Sequence, residues 1–178
     1  MKLYFTTALF FLTILCCGQQ SNTWDQWNRL TGDWQGEGSG APGEGGGRFS
    51  FRYDLDKKVI VRKSHSEYAA TDKKPKIIHE DLMVIYADQN GAPSKAIYFD
   101  NEGHTINYTV SYADQSIVFL SDKMPNAPIF RLTYTLTGQE TVNTKFEMSQ
   151  DGERFFTYIE GYSRKINPAA NNSKVRRK

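Results

Sequence analysis

Leu30–Gly47 reads LTGDWQGEGSGAPGEGGG. A large aromatic residue, Trp34, stands among glycines at Gly32, Gly36, Gly38 and Gly40. Glycine in a strand lets the backbone bend sharply, or lets another backbone or a ligand come close. The tryptophan supplies a large apolar plug. A strand of this make-up predicts the opening of a small β-barrel, with Gly36–Gly47 as a loop at the barrel mouth. That loop is not a P-loop. It lacks the Gly-Lys-Ser/Thr ending and leads into a strand rather than a helix.

The chain on either side supports this reading. Upstream, Trp24, Trp27 and Leu30 fall at i, i+3 and i+6, which predicts a short amphipathic helix over Thr23–Leu30, capped by Asn22 or Thr23. Downstream, the apolar period switches to two. Phe49, Phe51, Tyr53 and Leu55 alternate with Arg48, Ser50, Arg52 and Asp54. Ile106–Tyr112, Phe130–Leu136 and Val142–Met148 alternate in the same way, as half-buried strands do. Turn-forming segments such as Asp54–Lys57, Asp100–Gly103, Thr137–Gln139 and Gln150–Gly152 separate the runs at hairpin intervals. Counting by pattern, with Asp33–Ser39, Lys58–Tyr68, Ile77–Tyr86, Ser94–Asp100, Ser116–Ser121 and Phe155–Arg164 included, there are about ten strands. Closing such a meander removes its exposed edges. The predicted fold class is therefore all-β: an antiparallel up-and-down barrel with a short N-terminal helix, spanning residues 22–166.

The ends read differently. Met1-Lys2 followed by the apolar run Leu3–Leu15 predicts a signal peptide within residues 1–18. Ile14-Leu15-Cys16-Cys17 is similar to a lipobox, so cleavage before Cys17 would give a lipid-anchored protein of the cell envelope or periplasm. Cleavage after Gly18 would give a soluble exported one. Both cysteines lie in this leader, so no disulfide is expected in the domain. Asn167–Lys178 predicts a disordered basic tail. Removing Lys2 and the tail's four cations from the net charge of +2 leaves the body at −3, with no basic face for a nucleic acid.

Several residues are candidates for a site. Arg62 shares its alternation with Ile60, Ser64, Ser66 and Tyr68, and which face of Lys58–Tyr68 points inward stays open. Ile77–Tyr86 is apolar in both registers. One register puts Ile78, Glu80, Leu82, Val84 and Tyr86 inside, with Glu80 as the partner of Arg62; the other puts Met83 and Ile85 inside. An Arg–Glu pair there would serve structure or grip a carboxylate ligand. Asp100-Asn101-Glu102-Gly103-His104 is a hairpin turn by composition, and also the one place where His104, Asp100 and Glu102 could do acid–base work at the mouth. Trp34, Gly36 and Gly38, with Tyr98 and Tyr158 from the aromatic complement, complete the candidate lining. His65 shares its face with Lys63 and Glu67 and is expected outside. No zinc spacing, nucleophile motif or dinucleotide fingerprint is present in the sequence.

Gly32-Asp33-Trp34-Gln35-Gly36-Glu37-Gly38-Ser39-Gly40, following Trp27 and Leu30, resembles the opening of the nitrobindin-like heme-binding β-barrels within the wider calycin group. The resemblance implies a ten-stranded barrel and a heme held by a histidine near the C-terminal end. Thr141–Ile166 contains no histidine; the three are His65, His79 and His104. Tyr158 and Tyr162 are the residues of the last strand able to ligate ferric heme as tyrosinate. The function expected from the residues is an exported barrel that binds a small, largely apolar molecule in its interior. The alternatives are atypical heme ligation, a small-molecule enzyme using His104, Asp100 and Glu102, and a structural or interaction module of the envelope.

Overall fold

Phe51 points into the protein and Arg52 points out of it, and this two-residue alternation, repeated strand after strand, gives the chain one continuous inner face. The computed structural model describes residues 23–38, 46–70, 72, 75–89 and 91–167. The leader with Cys17, residues 39–45 of the glycine loop and residues 168–178 of the tail lie outside the described residues. Helix α1 (Thr23–Leu30) is followed by β1 (Gly32–Gly36), β2 (Arg48–Asp54), β3 (Val59–Tyr68), β4 (Ile77–Ala87) and β5 (Pro93–Asp100). Then come β6 (Thr105–Ala113), β7 (Ser116–Ser121), β8 (Ile129–Leu136), β9 (Thr141–Ser149) and β10 (Phe156–Lys165). Each strand pairs antiparallel with its sequence neighbours, and β1 pairs with β10, which closes a ten-strand barrel. No sheet edge is left to template aggregation. The predicted all-β barrel with a short helix is the fold observed, although β1 ends at Gly36 rather than Ser39.

Two glycines of the opening segment owe their place to backbone packing. Gly36 donates its amide to the Gly47 carbonyl at 2.8 Å, and a Cβ on Gly36 would stand 3.1 Å from the Gly46 backbone. Gly47 has φ of +89°, and a Cβ there would lie 2.5 Å from the His65 carbonyl oxygen. The Gly46–Gly47 backbone approaches Gly36, and strand β3 approaches Gly47.

The helix seals one end of the barrel. Trp27 enters the bore and is fully buried against Phe51 and Phe119, with ring centroids at 5.8 and 6.1 Å. Its indole N–H donates to the Tyr112 hydroxyl at 2.8 Å, and that hydroxyl donates onward to the Pro93 carbonyl. Gln26 and Arg29 donate to the carbonyls of Asp114 and Gly138, in the β6–β7 and β8–β9 turns, tying the plug to the rim. Trp34 lies behind this plug. It is fully buried, stacked on Phe49 at 13° and 6.1 Å, with its N–H on the Leu30 carbonyl at 2.7 Å. It closes the barrel rather than lining an open space.

Strand β4 corrects one expectation. Met83 and Ile85 are fully buried and Asp81 faces inward with them, whereas Glu80 is exposed on the outer wall. The inner partner of Arg62 is therefore Asp81, not Glu80. In the β3–β4 register Ser64 stands opposite Asp81 and Arg62 opposite Met83, so Arg62 and Asp81 are diagonal neighbours on one face. Glu80 instead meets His65 at 3.1 Å.

Candidate functional site

The end opposite α1 is framed by the β1–β2, β3–β4, β5–β6, β7–β8 and β9–β10 connections. Here inward-facing side chains stay partly exposed. Phe49, Tyr98, Ile106, Phe130 and Phe146 pack on the core but are not sealed by it. Alternation aims them into the bore. Phe130 and Phe146 stack at 14° and 5.6 Å to form an aromatic wall on β8–β9. A bulge between Thr157 and Ile159 re-aims Tyr158 at the lip, where its ring meets the edge of Phe146 at 6.2 Å. Tyr162, further along β10, is exposed.

The opposite wall, on β3–β5, is polar. Its deepest members are Arg62 and Asp81, a buried ion pair whose side chains are 9% and 7% exposed. Burial alone would lower the Arg62 pKa, but Asp81, with Tyr134 and Tyr98, reverses that and holds the guanidinium charged. Nearer the mouth, His79 directs Nδ1 at Glu102 and Nε2 at the Tyr98 hydroxyl, each at 3.2 Å, with Asp81 3.7 Å from Nε2. Tyr98 donates to Asp100 at 3.2 Å, so its oxygen is left to accept from His79. Burial, and then the neighbouring Asp81 and Asp100, push the Tyr98 phenol well above its ordinary pKa and keep it neutral. One chain of contacts thus runs from the floor of the bore to its lip.

Asp100 ends that chain in the turn. Its carboxylate accepts from the backbone amides of Glu102 and His104 and faces His104 Nδ1 at 2.9 Å. Burial would raise its pKa, but the His104 amide and imidazole outweigh that and hold it below the usual carboxylate range. The His104 side chain is 63% exposed, and Gly103, with φ of +92°, makes the bend. Of the predicted trio, Asp100 shapes the hairpin and meets the inner wall through Tyr98, Glu102 reaches that wall through His79, and His104 faces solvent. The arrangement is that of a turn more than of an acid–base centre. Inward placement was not foreseen for Asp81 or His79. The signal available was the polar pair itself, at alternate positions of a strand whose other face is equally apolar.

Beneath the polar wall lies a floor of unmet hydrogen-bond capacity. Arg62 Nε, the Tyr134 hydroxyl and Thr144 Oγ1 are buried without hydrogen-bond partners. Thr144 stands directly opposite Tyr134 on β9. The Arg62 guanidinium lies 5.9 Å from the Tyr134 ring and 5.6 Å from the Phe49 ring. It lies close enough to the Tyr134 hydroxyl to favour its ionisation, by charge and as a hydrogen-bond neighbour. Burial pushes Tyr134 up to about 12, against the pull of Arg62. Tyr108, 2% exposed, is also pushed up by burial, with Arg62 pulling the other way and Tyr134 and Asp81 beside it. Each buried polar atom left unpaired costs about 1–3 kcal/mol.

These residues do not fit a heme iron. His79, the histidine of the inner wall, has both ring nitrogens engaged by Glu102 and Tyr98. His65 is committed to Glu67 and Glu80 on the outer wall, and His104 faces solvent. Tyr158, at the lip, is 59% exposed and turned against Phe146. Among the described residues no three His, Cys, Asp or Glu side chains converge as a metal-ion site.

The outer wall carries two grooves. One, of about 670 Å³, runs past Arg48, Lys63, His65, Glu80, Leu82 and Phe99. The other, of about 710 Å³, runs past Val118, Leu120, Arg131 and Phe155. The second is bordered by outward side chains, and the first also meets Trp34, Phe49, Ser64 and Asp81 of the inner face. Glu80 belongs to the first of them. Among the remaining sequence candidates, Gly36 and Gly38 are half-buried at the start of the glycine loop. The structure therefore brings Arg62 and Tyr98 together on one wall, sets Tyr158 at the lip, and keeps Trp34, Glu80 and His104 away from the bore surface. Compared with known proteins, the chain matches no family model and no curated protein.

Proposed function

We propose that this barrel is a container for a small, largely apolar molecule, held in the half of the bore opposite α1. One observation carries the reading. Inward aromatics at that end, Phe130 and Phe146 above all, remain partly exposed, whereas Trp27, Phe51 and Phe119 toward α1 are fully buried and Trp24, Tyr53 and Tyr112 at the α1 rim are partly buried. Partly exposed apolar surface that faces a concavity is the ordinary lining of a ligand site. Export and anchoring through Cys17 belong to the same proposal and rest on the Leu3–Cys17 sequence alone. Relation to the nitrobindin-like barrels rests on Gly32–Gly40 alone, and the wall residues argue for a ligand other than heme.

Fluorescence titration with N-phenyl-naphthylamine, an uncharged apolar probe, tests the reading. The full-length protein should enhance its emission saturably. Phe146→Asp, which puts a charge on the aromatic wall, should weaken binding by about tenfold or more. Absence of saturable enhancement, or equal enhancement by the variant, contradicts the proposal.

A further inference from the structure

The outer wall of β3–β5 is apolar, whereas the outer faces of β6 and β9 are polar. We propose that this wall is a docking face for a lipid bilayer with anionic headgroups, on which the anchored barrel lies. The inference rests on the anchoring of the chain at Cys17 and is independent of what the bore holds. Cross-strand register assembles the face. Val61, Val84 and Ile97 stand side by side on β3, β4 and β5, and Leu82 pairs with Phe99 in the next row. Tyr86 extends the patch towards α1. These side chains point away from the bore, since Ile60, Arg62, Met83, Ile85 and Ala96 at the alternate positions are buried within it. Tyr86 and Phe99 are exposed. On β6 the outward positions are Asn107, Thr109 and Ser111, and on β9 Asn143, Lys145 and Glu147. Contiguous exposed apolar surface of this kind marks an interaction site.

The charge around the patch selects its occupant. Arg52, Glu67 and Glu80 at its edges are engaged by Asp33, Lys76 and His65. Arg48 stands opposite His65, Lys63 opposite Leu82 and Lys95 opposite Tyr86. These three make no ion pair among the described residues, and Lys95 donates to the Thr109 hydroxyl. The uncompensated charge of the border is positive. A second copy packed face to face would set this charge against itself, whereas anionic headgroups complement it while the apolar rows enter the interface. At the α1 end of the wall the β2–β3 turn exposes Leu55, with Lys57 and Lys58 balanced by Asp54 and Asp56.

The leader joins the barrel beside this wall. Helix α1 begins next to β2, where the Trp24 ring lies 5.9 Å from the Tyr53 ring, and β2 pairs with β3. Cys17 precedes Thr23 by six positions, a stretch that reaches about 20 Å at most when fully extended. A lipid on Cys17 therefore holds the α1 end of the wall close to the bilayer. The anchor alone leaves the barrel free to turn, and the apolar rows fix which wall faces the lipid.

Methyl NMR of the full chain, processed by an exporting bacterial host, tests the inference in bicelles of phosphatidylcholine and phosphatidylglycerol that carry a headgroup spin label. The methyl signals of Val61, Leu82, Val84 and Ile97 should lose intensity, while those of Thr133 and Thr135 on β8, across the barrel, keep theirs. Omitting phosphatidylglycerol should weaken the loss, and Lys63→Glu/Lys95→Glu should weaken it in the same way. Leu82→Ser/Val84→Ser, on the outer wall, should remove it from Val61 and Ile97. Equal loss on both walls, or loss centred on Thr133 and Thr135, overturns the docking face and leaves the anchor intact. Shifts of the same four methyls with protein concentration in the absence of lipid assign the wall to a second copy and overturn the lipid. A processed chain whose mass shows no acyl group on Cys17 overturns the anchoring, and the inference with it.

Discussion

The two halves of this barrel are built from the same alternation and end in opposite conditions. Beside α1, Trp27, Leu30, Trp34, Phe51 and Phe119 have no exposed surface, and the helix is stitched to the rim by hydrogen bonds from Gln26, Trp27 and Arg29. At the far end, Phe49, Tyr98, Ile106, Phe130 and Phe146 face the same bore and are only partly buried. What differs is the plug. A helix that supplies Trp27 completes close packing on its own side, while nothing among the described residues does so on the other. Stability should therefore concentrate at the helix end and ligand binding at the mouth.

The largest effect should come from the plug. Trp27→Ala removes a fully buried indole and should cost about 3–5 kcal/mol, whereas Phe130→Ala, at the half-open end, should cost clearly less. Urea midpoints at unchanged m-values report both. Equal losses would mean that the mouth is packed as tightly as the plug.

Next comes the Arg62–Asp81 pair, at the boundary between the halves. Asp81→Ala leaves a buried guanidinium without its counter-charge and should destabilise by about 3–5 kcal/mol. Replacing both partners by Met and Leu should recover most of that in the same urea series. Failure of the double variant to recover would show that the pair supports packing rather than merely balancing charge.

Two glycines of similar backbone angle separate crowding from conformation. Gly47→Ala forces a methyl group onto the His65 carbonyl in addition to the positive φ, while Gly103→Ala meets no atom within 4 Å. The first should lower the melting temperature clearly more than the second, which carries only the left-handed backbone cost of about 1–2 kcal/mol. Equal shifts would locate the cost in φ alone.

The smallest effect is electrostatic. Asp151, in the β9–β10 turn, accepts from the amides of Arg154 and Glu153 and from Ser149, which hold its pKa at about 2 against an ordinary 3.8. A carboxylate depressed in the fold stabilises above its ordinary pKa and loses that contribution as pH falls through the folded value. The β9–β10 turn should therefore loosen between about pH 4 and pH 2, visible as amide shifts at Gly152–Arg154, and Asp151→Asn should remove the transition. A midpoint near 3.8 in the native protein would mean that these bonds do not bias the carboxylate.

The strands with one apolar face were legible because burial leaves only one register consistent with it. Arg48–Asp54, Thr105–Ala113 and Ile129–Leu136 alternate without ambiguity, and their faces are as alternation implies. Strand β4 was not legible, since Leu82, Val84 and Tyr86 on the outside are as apolar as Met83 and Ile85 within. A one-residue slip exchanges the faces, and with them Glu80 for Asp81 as the partner of Arg62. The inward place of Arg62 was open in the same way, because Val59 and Val61 on the other face of β3 are as apolar as Ile60. The unpartnered hydroxyl of Tyr134 could not be read from the sequence either. Whether a core tyrosine finds an acceptor depends on strands far apart in sequence, as β3 and β8 are.

The central claim, that the mouth half of the bore holds an apolar ligand, is tested most directly by aromatic and methyl NMR of the full-length protein titrated with naphthalene. The account predicts saturable shifts at Phe130, Phe146, Ile106 and Tyr98, with Trp27 and the outer-wall residues Leu82 and Phe99 unmoved. Shifts confined to Leu82 and Phe99, or no saturable shifts at all, would contradict it.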